Sequence, residues 1–478
     1  MPFHPRRELC YNLYALFTNE RDSMEQTDLK PSFDRRAMTR KAVSVAWPAV
    51  AESFFVTLAG MIDTMMVSAM GSYAVAAVGL TNQPKFIALT LFFGINIAVS
   101  ALIARRKGEQ RREKANEVLL TALGLMTVLC AVITAVFVIF SPQIMELAGS
   151  NADTHEAAVE YFRIIMAGTF FSALTMVINA AQRGSGNTRL SMTTNLTSSV
   201  VNVFFNYLLI EGHLGFPAWG IRGAAIATVL GTVVSACMAV FSLFRPHSYV
   251  RIPVMIKNRI RMTKESLKSI WHMTYNSSLE NIAMRIGFLA TAVLAARLGT
   301  DEFAAHNVGM SILGLGFSFA DGMQVAAVAL SGEALGAGKK KEAMEFGGIC
   351  QRIGFMISVA LAILLLFGGR WFYSLYFKEA HILDMGVVIT RYIMFIVLLQ
   401  ISQIIYTGCL RAAGDVRYTL KGALISVTVI RTAVTMLLVL VFNLGLHGIW
   451  LGVLSDQLSR FTLMRRRFRQ GKWVNLKI

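Results

Sequence analysis

Twelve stretches of mostly apolar residues recur between residues 42 and 465, each near the ~20 residues that a helix needs to cross a bilayer. In lipid every backbone N–H and C=O requires an internal partner, so such stretches fold as helices. The chain therefore reads as an all-α polytopic membrane protein. Its residues are 55% hydrophobic and 15% charged, against about 25% charged in soluble domains. The spans fall near 42–68, 74–104, 115–140, 158–181, 190–211, 220–244, 270–298, 302–334, 343–368, 386–410, 419–441 and 447–464. Residues 1–40 are polar and basic, with no apolar stretch of a cleavable signal peptide. They read as a cytoplasmic tail, with a short surface helix around 9–17.

The net charge of +18 would point to nucleic acid in a soluble protein. Here Arg and Lys gather in the two tails and in alternate loops, above all 105–112 and 245–268. By the positive-inside rule both termini are cytoplasmic, and no nucleic-acid partner is expected. The five cysteines stand singly, and no His pair has metal-ligand spacing. No phosphate loop, nucleophile elbow or prenyl-transfer motif occurs, so neither an ATP-driven pump nor a membrane enzyme is expected.

The second half repeats the first. Gly71 matches Gly299, Ala77 matches Ala305, and Gly94 matches Gly322. Gly108 matches Gly336, Ala115 matches Ala343, and Gly220-Ile221 matches Gly448-Ile449, every pair 228 residues apart. Arg183-Gly184-Ser185-Gly186-Asn187 pairs in the same way with Arg411-Ala412-Ala413-Gly414-Asp415. A constant offset over six helices marks a duplication. Six is even, so both copies insert in the same orientation, related by an axis along the membrane normal. The expected architecture is two pseudo-symmetric six-helix bundles enclosing a central cleft. They are an N-lobe at 41–245 and a C-lobe at 269–465, joined by the linker 246–268 and closed by the tail 466–478.

Charges inside the spans are costly, about 2.5–3.5 kcal/mol or more unless they meet a partner or a wet cavity. Span 1 carries two, Glu52 and Asp63; three helical turns apart, they share a face. Glu52 and Glu280 are repeat mates, expected to face the cleft in its cytoplasmic half or to form a buried structural pair. Asn202 and Asn206, four apart, lie on one face of span 5, as part of a site or as helix–helix glue. Asn96 and Gln324 are a second symmetric polar pair that lines the cleft in this reading. Arg285, Asp321 and Arg431 are the other mid-helix charges; Arg285 or Arg431 is expected to neutralise Glu280 or Asp321.

Several motifs share this frame: Met61-Ile62-Asp63-Thr64, Ala76-Ala77-Val78-Gly79, Arg183-Gly184-Ser185-Gly186-Asn187, Asn202-Val203-Phe204-Phe205-Asn206 and Gly220-Ile221-Arg222-Gly223-Ala224-Ala225. Over residues 40–465 the chain resembles the multidrug and toxic compound extrusion (MATE) family, in its bacterial DinF-like range. The resemblance implies an antiporter of the plasma membrane that exports amphipathic small molecules or organic cations against inward H⁺ or Na⁺. No other cofactor is implied, and lipid is the remaining partner of a monomer. It also implies a cation or proton site in the N-lobe at Asp63, Asn202 and Asn206, with Thr228 completing the shell. Glu280 matches the family's span-7 acid. Gln400 stands where one branch carries a further acid, so a C-lobe site built on two carboxylates is not expected. The competing reading is a lipid-linked oligosaccharide flippase, whose cleft would carry several arginines for a pyrophosphate.

Overall fold

The computed structural model describes residues 34–151, 153–246 and 248–476. The N-terminal tail and its surface helix fall almost wholly outside them. Span 1 is Arg35–Ser68, begun by Asp34, whose carboxylate accepts from the N–H groups of Arg36 and Ala37 and so satisfies two orphan donors of the first turn. Span 2 is Ser72–Gly108, span 3 Arg112–Ile139, span 5 Thr188–Leu209 and span 6 Gly220–Ser242. Span 4 is broken, His155–Ala167 followed by Thr169–Gly184 at 45°. Spans 7 to 10 are Lys264–Leu298, Thr300–Gly336, Lys340–Ser374 and Ala380–Ala412. Span 11 runs from Val416 to Val441 with two π-helical segments, Leu424–Arg431 and Leu437–Val441, and span 12 is Gly445–Arg469.

Among the described residues nine helices are long and apolar enough to cross a membrane, ten when the bent pair of span 4 is taken as one. Spans 5 and 12 are the remaining two. Both have the length, but polar side chains lower their hydropathy, and several of those side chains belong to the centres described below.

The duplication is visible in the packing. Span 1 packs on span 8 and span 2 on span 7, while spans 2 and 8 cross each other. At that crossing a Cβ on Gly108 would overlap the Glu333 carbonyl, and a Cβ on Gly336 would overlap the Arg105 carbonyl. Arg105 and Glu333 are themselves 228 apart, so mates touch mates across a two-fold axis. Higher up, a Cβ on Gly94 would lie 2.7 Å from the Thr274 carbonyl, and one on Gly322 2.5 Å from Val50 Cα.

Charges close the same end. Glu333 receives Lys41 at 2.9 Å and Lys107 at 3.0 Å, both from the first six helices. Arg35 meets Glu345 at 3.0 Å, and Arg105 donates to the Leu476 carbonyl at 2.8 Å. From mid-helix to this basic end the halves are thus in close contact. Gly108→Leu is expected to hold that end apart. Ala104, fully buried beside Gly332, reports it: a cysteine placed there in a cysteine-free background gains reactivity toward a maleimide in the Gly108→Leu protein. Unchanged reactivity would show that the crossing tolerates the side chain.

Candidate functional site

Inside the first six helices Asp63 accepts a 2.6 Å hydrogen bond from Asn206 Nδ2, and Asn202 also reaches its carboxylate. Asn202 Nδ2 donates to Thr228 Oγ1 at 3.1 Å, and Thr228 donates to the Ala224 carbonyl at 3.0 Å. The structure therefore brings together Asp63, Asn202, Asn206 and Thr228 from spans 1, 5 and 6. Asn206 is fully buried, with its Oδ1 unpartnered; Asp63 is half-buried.

Two further residues belong here that the sequence reading passed over. Tyr161 of span 4, buried, lies beside Thr228 and Asp63. Lys85 of span 2 is a cation whose field acts on Asp63. Lys85 carries the same signal that singled out Asp63, a charge far inside a span; Tyr161 carries none. The set is one carboxylate among amide, hydroxyl and phenol oxygens. Hard cations prefer all-oxygen surroundings, and a lone carboxylate equally accepts a proton.

Three other intramembrane carboxylates are held differently. Glu52, buried, takes Arg183 at 3.0 Å, Ser191 at 2.9 Å and Asn195 at 2.6 Å on one oxygen. Arg183 also donates to Asn96 at 3.0 Å. The repeat mates reproduce this arrangement: Glu280 pairs with Arg411 at 3.1 Å and accepts from Thr419 at 2.8 Å, and Arg411 donates to Gln324 at 3.3 Å. Neither Arg285 nor Arg431 neutralises Glu280; Arg411 does. The reason is topological. Arg411 ends span 10 as Arg183 ends span 4, so the duplication fixes both pairs at once. Arg285 instead lies over the Phe86 ring, 4.1 Å from its centroid. Arg431 donates its Nε to Thr291 at 2.9 Å, lies 3.6 Å from Asp456 and covers Phe288. Asp321 is exposed, within the field of Arg411. Gln400 is fully buried against Gly316.

Two cavities adjoin these groups. A polar one of about 280 Å³ inside the first six helices is lined by Asn96, Thr175, Asn179, Arg183, Asn195 and Thr232, among others. An apolar crevice of about 380 Å³ between span 1 and spans 8 and 9 is lined by Trp47, Phe54, Phe55, Phe319 and Met323, among others.

With this geometry in place, the chain can be set beside known proteins. The MatE family profile matches residues 48–208 and 277–437, one block in each repeat. The "Probable multidrug resistance protein NorM" of Thermotoga maritima is 25% identical over 464 residues, covering 96% of each chain. The "Uncharacterized transporter YisQ" of Bacillus subtilis is 24% identical, covering 94% of this chain and 98% of its own. Among solved structures, an outward-facing multidrug resistance MATE family transporter of the MOP superfamily superposes with a TM-score of 0.84 at 25% identity, over 91% of this chain and 97% of that one. A MATE protein in complex with MaL6 gives the same TM-score at 24% identity, with the same coverage. The relatives are named as transporters or multidrug resistance proteins, not as enzymes. Two matched blocks covering more than half of a twelve-helix, duplicated chain make this a multi-pass membrane transporter that belongs to the MatE family.

Proposed function

We propose that the chain exports amphipathic small molecules or organic cations in exchange for a driving cation, H⁺ or Na⁺, bound at Asp63. One observation carries this reading. Glu52, Glu280 and Asp456 each lie within ion-pair distance of an arginine, whereas the hydrogen-bond partners of Asp63 are neutral amides. A carboxylate kept in a membrane without a guanidinium to neutralise it has a charge left to exchange.

Assigning the basic end to the cytoplasm by the positive-inside rule makes the closed end described above the inner one. Cation binding at Asp63 cancels its charge and ends the pull of Lys85. Spans 1 and 2, which carry these two residues, also carry the inner contacts to spans 7 and 8. Changing their attraction therefore biases the two arrangements of the lobes, which is the differential interaction a two-state carrier requires. The apolar crevice, with its aromatic and Met lining, suits varied amphipathic compounds. A flippase would keep its arginines free for a pyrophosphate. Arg183, Arg411 and Arg431 are instead engaged by buried carboxylates, which argues against that reading.

The experiment is export of a fluorescent organic cation from proteoliposomes under a proton gradient or a sodium gradient, one at a time. Uphill transport under one of them is expected; equal downhill leakage with and without either gradient would overturn the proposal. Tyr161→Phe removes the phenol oxygen beside Thr228 and Asp63 and is expected to weaken the apparent affinity for the driving cation about fivefold, roughly the 1 kcal/mol of one polar contact, with the maximal rate unchanged. The concentration dependence of export on that cation measures this.

A further inference from the structure

The duplication places a counterpart of the Asp63 centre in the second six helices, and it is built differently. The repeat mate of Asp63 is Thr291, and the mate of Thr228 is Asp456, each 228 residues on. The carboxylate has moved from span 1 of the pair to span 12. Between Thr291 and Asp456 lies the Arg431 guanidinium, bonded to the first at 2.9 Å and 3.6 Å from the second. Arg431 stands one position from the mate of Asn202, at the end of the π-helical segment Leu424–Arg431. π-Helical turns inside longer helices frequently mark functional positions. Arg431, Asp456 and Thr291 are all at most 1% exposed.

We infer that Arg431 is a built-in occupant of the C-lobe counterpart of the coupling site: the guanidinium holds the place that the driving cation takes in the N-lobe. The inference rests on the reading of Asp63 given above. A guanidinium is always charged and is tethered to its helix, so this centre never empties. The C-lobe keeps one electrostatic state through the cycle, and the N-lobe alone exchanges its cation.

An independent feature points the same way. Four residues lining the polar cavity of the N-lobe, which lies beside the Glu52–Arg183 pair, have larger mates in the C-lobe. Ser172 becomes Gln400, Thr175 becomes Gln403, Thr232 becomes Arg460 and Ser235 becomes Leu463. Arg460 adds a second guanidinium whose field acts on Asp456. The C-lobe thus carries fixed positive charge around Asp456 from two arginines, Arg431 and Arg460.

The test counts exchangeable cations on purified full-length protein with two probes, radioactive sodium and the protonated-carboxyl infrared band after a pH step. Wild type is expected to bind one cation per chain and Asp63→Asn none. Asp63→Asn/Arg431→Gln/Arg460→Gln is expected to bind one again, now at Asp456, and adding Asp456→Asn abolishes it. A monodisperse protein with those three substitutions that binds none overturns the inference. Should that variant fail to fold, Arg431→Leu/Asp456→Asn removes both charges together, the change that buried pairs tolerate best. It is expected to keep Asp63-dependent binding and gradient-driven export; loss of either in that folded protein overturns the inference. Binding that survives Asp63→Asn but vanishes in Asp456→Asn also overturns it, by placing the exchangeable site in the C-lobe. Binding that survives both substitutions refutes the Asp63 reading and the analogy drawn from it.

Discussion

Asp63→Asn inserts, folds and accumulates as wild type, binds substrate, and exports none of it against a gradient. The amide is nearly isosteric with the carboxylate, and its oxygen still accepts from Asn206 Nδ2, the 2.6 Å bond that orients the side chain. Neighbouring packing on span 1 is untouched. The charge is what disappears, and with it the only differential interaction that the driving cation has with the two states. A ligand that binds both states equally shifts no equilibrium. Export in the presence of the gradient is therefore expected to fall to the level of liposomes without protein, while substrate still exchanges downhill. Asp63→Glu keeps the charge and loses the geometry, so partial activity is expected. The check is gradient-driven export at matched protein density. Wild-type rates with unchanged ion dependence would make Asp63 structural and move attention to Asp321, the exposed carboxylate of span 8.

The second large effect is on stability. Arg183→Ala and Arg411→Ala are each expected to destabilise by about 3–5 kcal/mol, because each leaves a buried carboxylate without its partner. Arg183 ties span 4 to span 1 through Glu52, to span 2 through Asn96 and to span 5 through Ser191. Its loss strands Glu52, whose second oxygen is already unpartnered. Glu52→Gln/Arg183→Gln removes both charges and is expected to recover most of the loss. Thermal unfolding of detergent-purified protein separates these cases. A single substitution no worse than the double would show that the pair contributes little beyond its hydrogen bonds.

The fold was legible because lipid enforces it. Apolar length set the helices, and the fixed 228-residue offset set the two-fold arrangement, which the mutual crossing of Gly108 and Gly336 displays. Asp63, Asn202 and Asn206 were legible because polar groups at helical spacing inside a span need a reason. The partners of Glu52 and Glu280 were not. Arg183 and Arg411 stood in view inside the repeated motif, but their contact with spans 1 and 7 is tertiary, and a helix-end arginine reads equally well as a topology signal. Lys85 was passed over although, like Asp63, it is a charge far inside its span, Ser72–Gly108. The break of span 4 falls at Gly168, one of many glycines inside spans, and the π-helical turns of span 11 have no composition of their own. Those turns place Arg431 between Thr291 and Asp456, where the sequence had suggested Glu280 or Asp321 as its partner.

Substrate and cation movements are expected to be obligatorily exchanged through Asp63. Proteoliposomes loaded with an organic-cation substrate and diluted into substrate-free buffer, with no ion gradient imposed, test it most directly. Substrate leaving down its own gradient should drive the coupling cation inward, read by an internal pH or sodium indicator, and Asp63→Asn should release substrate with no ion movement. Ion uptake of equal size in the Asp63→Asn protein, or substrate efflux from wild type without any ion uptake, would contradict it.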